Sequence, residues 1–135
     1  MTPTDTELLE LARDAAYRAY APYSDFPVGA ALLFDDGRVV TGCNVENASF
    51  GLTICAERTA VTRAIISGEA DRTRRPRIVA AAVVGLKAEP CYPCGACRQV
   101  LCEFSCERVI VSQDGKPHTV PFSELLPNAF GPDSL

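Results

Sequence analysis

The sequence predicts an α/β fold, a three-layer α/β/α sandwich in which helices cover both faces of one sheet. Three observations predict it. Apolar residues recur at helical spacing near the N-terminus, two apolar runs flank a tight-turn signal, and strand-like runs then alternate with helical segments. The length of 135 residues and the hydrophobic content of 47% are those of a globular unit with an ordinary core. We therefore expect a single domain over residues 1–135.

The first predicted helix begins with a capping box. Thr4 is the N-cap residue, and Glu7 stands where its side chain reaches back to the Thr4 backbone. Pro22 ends the helical pattern, because proline has no backbone N–H to donate. The apolar face consists of Leu8, Leu11, Ala12, Ala15, Ala16 and Ala19.

Two apolar segments, residues 28–34 and 38–45, predict a β-hairpin. They flank Asp35-Asp36-Gly37, and an Asp-Gly pair supplies the positive φ angles that a tight hairpin turn requires. Both segments are rich in Ala, Leu and Val with little alternation. We therefore expect both faces of these strands to be covered.

The second half of the chain alternates helices with strands. The predicted elements are a helix over 55–67 stopped by Gly68, a strand over 78–84, a helix over 94–104, a strand over 109–111 and a helical turn over 123–126. A further strand is possible before that turn. We expect the helices that begin at residues 55 and 94 to pack on one side of the sheet, which would bring their N-termini together.

Three cysteines in two short motifs predict a metal site. Cys55-Ala56-Glu57-Arg58 is followed by Pro93-Cys94-Gly95-Ala96-Cys97-Arg98-Gln99. Three thiolates hold a zinc ion and leave its fourth position open, as in catalytic zinc sites. Glu57 is not needed as a ligand and is therefore a candidate proton carrier. Arg58 beside it can donate hydrogen bonds to the thiolates and reduce the negative charge on the metal.

Other readings of these cysteines are open. A C-x-x-C pair alone is also typical of redox sites and of half a structural zinc site, but neither needs Glu57 or Pro93. Cys91 forms a second C-x-x-C with Cys94. We favour Cys94 and Cys97 as the metal ligands, because a helical pattern follows directly and both would lie at the N-terminus of a helix. There, free N–H groups and the helix dipole favour negative charge.

The charge and composition argue against several classes of protein. A net charge of −4 argues against a polynucleotide partner, and we interpret the basic run Arg72, Arg74, Arg75 and Arg77 as a solvated loop. No apolar run reaches the ~18 residues of a membrane helix, so no membrane partner is expected. The polar, acidic N-terminus indicates no secretory signal.

The remaining cysteines and the single histidine are interpreted as structural. Seven cysteines fit no even disulfide framework, so reduced thiols and a cytoplasmic location are expected. We expect the four outside the site to be small, partly buried residues: Cys43, Cys91, Cys102 and Cys106. His118 lies in the turn-like segment 114–118 and is expected at the surface.

The motifs resemble those of the short, homotetrameric cytidine deaminases, within the zinc deaminase superfamily. The matching segments are residues 21–31, 42–50, 55–60, 93–100 and 125–130. The resemblance implies a five-stranded mixed sheet, one Zn²⁺ per chain and a homotetramer with active sites at subunit interfaces. It also implies hydrolysis of cytidine and 2′-deoxycytidine to uridine and 2′-deoxyuridine with release of ammonia, a reaction of pyrimidine salvage.

The resemblance assigns a role to each matching position. Cys55, Cys94 and Cys97 are the zinc ligands, and Glu57 is the proton shuttle. The substrate-binding residues are Phe26 on the pyrimidine, Asn44 and Glu46 on the ribose, Ala56, and Phe130, which reaches into a neighbouring subunit's site. Phe50 stands where many relatives have tyrosine.

Three other functions stay open at this point. The first is deamination of a cytosine-containing antibiotic such as blasticidin S, against which the Asn44-x-Glu46 pair argues. The second is a non-catalytic zinc module whose fourth ligand is Cys91 or Cys43. The third is a polynucleotide deaminase, which the negative charge and short length disfavour.

Overall fold

The computed structural model describes residues 2–68 and 73–135. In chain order the elements are α1 (Asp5–Ala16), β1 (Val28–Phe34), β2 (Val39–Cys43), α2 (Ala56–Ser67), β3 (Ile78–Gly85), α3 (Gly95–Glu103), β4 (Arg108–Gln113), β5 (Lys116–Pro121) and α4 (Phe122–Leu125), with 3₁₀ turns at Phe50–Leu52 and Pro132–Ser134. Arg72 of the basic run lies outside the described residues. Among the described residues, none of the helices has both the length and the apolar character needed to span a bilayer.

The strands form a five-stranded mixed sheet in the order β2-β1-β3-β4-β5. β1 pairs antiparallel with both β2 and β3, so that Ala31 lies opposite Thr41 on one side and Ala82 on the other. β3 and β4 are parallel, and α3 forms the connection between them. This arrangement confirms the predicted α/β fold with its mixed sheet.

Helices cover both faces of the sheet. On one face, Leu8 and Ala12 of α1 pack into a buried cluster with Leu33, Val84 and Ile110. On the other face, α2 and α3 share a second cluster, whose helical members include Ala60, Ala64 and Leu101 and whose strand members include Leu32, Ala81 and Val109. The expectation that the two motif-bearing helices lie on the same side is confirmed.

The capping box of α1 is formed as predicted. The Thr4 hydroxyl accepts a hydrogen bond from the Glu7 backbone N–H at 3.1 Å, and the Glu7 carboxylate accepts one from the Thr4 N–H at 3.2 Å. The helix is shorter than predicted, because it ends at Ala16 rather than at Ala19. The N–H groups of Arg18 and Ala19 bond to carbonyls three residues back, so the final turn tightens instead of continuing the α-helix.

Two glycines let the helices approach the sheet closely. A Cβ atom at Gly42 of β2 would lie 2.5 Å from the Ala60 nitrogen and 2.6 Å from the Ala56 oxygen, both in α2. A Cβ atom at Gly29 of β1 would lie 1.9 Å from the Ala12 oxygen of α1. The first turns of α2 therefore rest directly on the backbone of β2.

Two local predictions need correction. The segment 114–118 is a turn only at Asp114 and Gly115, which have φ angles of 53° and 74°. His118 is exposed as expected, but it lies opposite Val111 in β5, the further strand that the sequence left possible, because Asp114 and Gly115 form the turn of a β4–β5 hairpin. β1 is covered on both faces as expected, whereas β2 alternates between buried and half-buried residues because it forms one edge of the sheet.

Candidate active site

The three motif cysteines come together where two helices begin. Cys55 is the N-cap residue of α2, Cys94 is the N-cap residue of α3, and Cys97 lies in the first turn of α3. Their sulfur atoms all lie within 4.8 Å of one another, and the Sγ atoms of Cys55 and Cys94 are 3.8 Å apart. Neither N-cap side chain caps its own helix, so the sulfur atoms are available to a ligand.

This donor set fits zinc. Soft thiolate ligands select zinc over hard cations, and three ligands leave one coordination position for a water or a substrate. Cys43 and Cys91 are not part of this group, so neither supplies a fourth thiolate. Burial raises the pKa of the Cys91 thiol to about 11, which keeps that thiol protonated at neutral pH.

Arg58, in the first turn of α2, lies against the cluster of three thiols. Its Nη2 atom is 3.6 Å from the Cys55 Sγ and 3.3 Å from the Thr53 carbonyl oxygen. The pKa of Cys55 is lowered to about 5, first by the hydrogen bond with Cys97 and then by Arg58. The Arg58 Nε atom is buried and, within the described part of the chain, has no hydrogen-bond partner. This cation stabilises negative charge on the thiolates.

Glu57 is buried beside the three thiols, with only 4% of its surface exposed. Burial raises the pKa of its carboxyl to about 7, and the negative charge on Cys55 acts in the same direction. A carboxyl with a pKa near neutrality can both accept and donate a proton under physiological conditions. The structure thus places Glu57 beside the three thiols, and its role as proton carrier stays a prediction.

Asn44 holds the segment that carries Phe26. Its side chain is 8% exposed. The Oδ1 atom accepts a hydrogen bond from the Val28 N–H at 2.9 Å, and Nδ2 donates one to the Phe26 carbonyl at 3.0 Å. The Phe26 ring itself packs at Gly85, where an added Cβ would lie 3.1 Å from Phe26 Cε1.

Glu46 binds the neighbouring part of the same segment. Its Oε1 atom accepts hydrogen bonds from the N–H groups of Tyr23, at 2.9 Å, and Ser24, at 3.1 Å. Its Oε2 atom accepts one from the Ser24 hydroxyl. These bonds, the Ser24 hydroxyl first, lower the pKa of Glu46. Asn44 and Glu46 thus share one task that the sequence did not indicate, which is to fix the backbone of residues 23–28.

The remaining predicted residues occupy different surroundings. Ala56 is fully buried at the first position of α2. Phe130 is 62% exposed, and its carbonyl accepts a hydrogen bond from Gln99 Nε2 at 2.8 Å. Phe50 is exposed and meets the Tyr23 ring edge-on, with ring centroids 5.9 Å apart.

The sequence analysis missed Arg98 as a member of the site's surroundings. Its Nε atom donates to the Pro93 carbonyl at 2.8 Å, and its Nη1 atom donates to the Leu125 carbonyl at 2.9 Å. The only signal in the sequence was its position directly after Cys97. Its second partner is 27 residues away along the chain, so the contact depends on the tertiary structure.

Known proteins share this sequence pattern. The family model described as the cytidine and deoxycytidylate deaminase zinc-binding region matches residues 2–113. The cytidine deaminase of Mycobacterium tuberculosis is 49% identical over 124 residues, which cover 92% of this chain and 87% of that protein. The cytidine deaminase of Halalkalibacterium halodurans is 46% identical over 131 residues, which cover 95% of each chain.

Solved structures share the fold. The crystal structure of cytidine deaminase from Burkholderia pseudomallei superposes with a TM-score of 0.83 at 46% identity, covering 95% of this chain and 100% of that one. The enzyme from Mycobacterium tuberculosis superposes with a TM-score of 0.76 at 46% identity, covering 92% of this chain and 94% of that one.

The matched region includes all three clustered thiols, and the chain binds one zinc ion there. One assignment follows from the thiol cluster, the buried carboxyl, the sheet that positions both and the match of residues 2–113 to the family model. The chain belongs to the cytidine and deoxycytidylate deaminase zinc-binding family.

Proposed function

We propose that this protein is a zinc-dependent cytidine deaminase that hydrolyses cytidine and 2′-deoxycytidine to uridine and 2′-deoxyuridine with release of ammonia. One observation carries the proposal: three thiols and a buried carboxyl meet at the N-termini of two helices. Relatives at 46–49% identity that are cytidine deaminases support the choice of substrate.

Glu57 moves the protons of the reaction. When bound, the zinc ion supplies a water of lowered pKa as the nucleophile. Glu57 accepts a proton from the attacking water and delivers it to ring N3, which makes C4 more electrophilic. The carboxylate then takes the remaining proton from the hydroxyl now bonded to C4 and passes it to the amino group, so that the C4 carbonyl forms as the C–N bond breaks and ammonia leaves. Its pKa of about 7 suits both directions of transfer.

The pyrimidine and the sugar are proposed to bind beside residues 23–28. Phe26 packs on the pyrimidine, and Asn44 and Glu46 hold a sugar hydroxyl. Asn44 and Glu46 can each make one further hydrogen bond besides those to this segment. Asn44 Nδ2 has a second N–H to donate. Among the described residues, Glu46 Oε2 accepts only from Ser24, so it has room for another donor. Together they match a hydroxyl, which both donates and accepts.

We also propose a homotetramer in which Phe130 of one chain completes a neighbouring site. Phe130 is largely exposed, and other exposed apolar side chains cluster in sequence near the site: Tyr20, Tyr23, Phe50, Leu52 and Ile54. Exposed apolar side chains that gather in one patch are typical of an interface. Residues 1–135 would then form one catalytic domain in each subunit.

The thiols and the net charge support a proposed cellular location and a class of substrate. All seven cysteines are free, and thiol ligands need a reducing compartment, which supports a cytoplasmic location. The net charge of −4 supports a free nucleoside rather than a polynucleotide as substrate.

The proposal is tested by mixing purified, zinc-loaded protein with cytidine and following the loss of the cytidine ultraviolet band while ammonia is assayed. Cytidine and deoxycytidine should be consumed with equal amounts of ammonia released, and free cytosine should react poorly because it lacks the sugar. No turnover of either nucleoside by protein with one zinc per chain would overturn the assignment. Equal turnover of cytosine and cytidine would overturn the sugar contacts.

A further inference from the structure

Arg98 links two parts of the chain that the proposed chemistry does not otherwise connect. Its guanidinium donates to the carbonyl of Pro93, the buried residue directly before Cys94, and to the carbonyl of Leu125, the last residue of α4. A guanidinium is planar and rigid, so it fixes the spacing of the two carbonyls that it binds. A lysine has a single ammonium group and no such fixed fork.

The segment after α4 depends on α3 for its position. We call residues 126–131, which contain no helix or strand, the tail. Gln99 Nε2 donates to the Phe130 carbonyl at 2.8 Å, and a Cβ at Gly131 would lie 3.1 Å from the Cys102 Sγ. A segment without regular structure is ordered by such contacts to its neighbours.

The first turn of α3 is also part of the metal site. It contains Cys94 and Cys97, and the Arg98 N–H donates to the Cys94 carbonyl at 2.9 Å. A zinc ion held by three thiolates that lie within 4.8 Å of one another would join the first turn of α3 to the start of α2. Bound zinc therefore holds Pro93 and Cys94 in place, and with them one of the two carbonyls that Arg98 binds.

We propose that Arg98 is a positioning residue that couples zinc occupancy to the docking of the tail, and with it Phe130. The inference rests on the zinc-binding part of the proposed function and not on the substrate. Coupling between two equilibria is reciprocal, so zinc holds the tail in place and the docked tail tightens zinc binding by the same factor.

Hydrogen–deuterium exchange on the full chain tests the coupling without any activity measurement. Zinc-loaded protein is compared with protein from which a chelator has removed the metal, and the metal content of both is measured. We expect faster exchange in the first turn of α3 and in the tail after zinc removal, with α1 unchanged. Tail exchange that is the same with and without zinc would overturn the proposal, as would an equal rise along the whole chain. Failure to load zinc at all would instead contradict the proposed function.

The variant Arg98→Lys tests the role of the guanidinium. With zinc bound, its tail should exchange as fast as the tail of the metal-free natural protein. Its zinc affinity, measured by competition with a chelator, should be weaker by roughly 5-fold or more, the lower end of typical coupling. Arg63→Lys is the matched control, because Arg63 also donates to a backbone carbonyl, that of Thr41 in β2, far along the chain from the tail. A zinc-loaded Arg98→Lys protein that matches Arg63→Lys in tail exchange and zinc affinity would overturn the proposal.

Discussion

Glu57 shows how burial changes the chemistry of one residue. An exposed glutamate is ionised at neutral pH, but burial raises the pKa of Glu57 to about 7. The carboxyl lies at the first turn of α2, two residues after Cys55, so it is close to the metal ligands without being one. A carboxyl near its pKa can take up and release a proton, as the proposed mechanism requires.

We predict that Glu57→Gln keeps zinc and loses most turnover. The amide has nearly the same shape but cannot exchange protons, so kcat should fall by the ~10²–10⁴-fold that is typical of general acid–base catalysis. Zinc content and kcat are measured on the same preparation. The control is Glu103→Gln at the exposed end of α3, which should keep normal activity. A normal kcat in zinc-loaded Glu57→Gln protein would rule out the proposed mechanism.

Single residues also decide which of the two overlapping C-x-x-C pairs binds the metal. Cys94 belongs to the cluster of three thiols, and Cys91 does not. We predict that Cys94→Ala loses bound zinc and that Cys91→Ala, its matched control, keeps one zinc per chain. Metal analysis of the two purified variants checks this. The opposite result would move the site to the other pair.

At the scale of elements, the site depends on how closely α2 approaches β2. Cys55, Glu57 and Arg58 all lie at the start of α2, so any shift of this helix moves a ligand, the proposed proton carrier and the cation together. Gly42 permits the approach, because a Cβ there would overlap the backbone of Ala56 and Ala60. Backbone atoms cannot turn aside as the end of a flexible side chain can.

Gly42→Ala is therefore predicted to destabilise the protein by about 1–3 kcal/mol, the usual cost of overpacking. Urea denaturation measures the loss. Gly51→Ala is the control, because no atom of the described residues, apart from its chain neighbours, lies within 4 Å of a Cβ at that position. Surface substitutions usually change stability by no more than about 0.5 kcal/mol. Equal stability of the two variants would show that α2 is not held against β2 in this way.

At the scale of the whole molecule, the exposed ring of Phe130 supports the proposed tetramer. Burying a phenylalanine side chain contributes about 1.5–3 kcal/mol, so a neighbouring subunit that covers it gains stability. The tail holds this residue against α3 by its carbonyl and leaves the ring exposed. This geometry supports the proposed contribution of the ring to another chain.

Mixed tetramers test that contribution. Glu57→Gln chains retain Phe130, and Phe130→Ala chains retain Glu57, so each variant alone should be weakly active. Refolded together, they should form some sites with Glu57 from one chain and Phe130 from another, and the activity should exceed the sum of the two parents. Light scattering and mass spectrometry establish that mixed tetramers are present. No gain in such mixtures would show that Phe130 does not act across subunits.

Local signals in the sequence were sufficient for most of the elements and for the metal-ligand candidates. The Thr4 capping box, the Asp-Gly turn and the Cys94–Cys97 spacing each act over a few residues, so they can be read without the fold. Two details could not be read in this way: α1 ends at Ala16, and the strand that the sequence left only possible includes His118. The tightened last turn of α1 and the pairing of His118 with Val111 depend on backbone partners that composition does not indicate.

The tertiary structure alone decided how these pieces act together. The parallel pairing of β3 with β4 and the shared face of α2 and α3 bring Cys55 to the Cys94–Cys97 pair, 39 residues away. Packing buries Glu57 and so raises its pKa. Hydrogen bonds join Asn44 and Glu46 to residues 23–28, and Arg98 to Pro93 and Leu125. Most of these partners are far apart along the chain, so no local pattern in the sequence indicates them. Residue type and spacing determine which chemistry is available, but only long-range packing determines the distances and burial that put it to use.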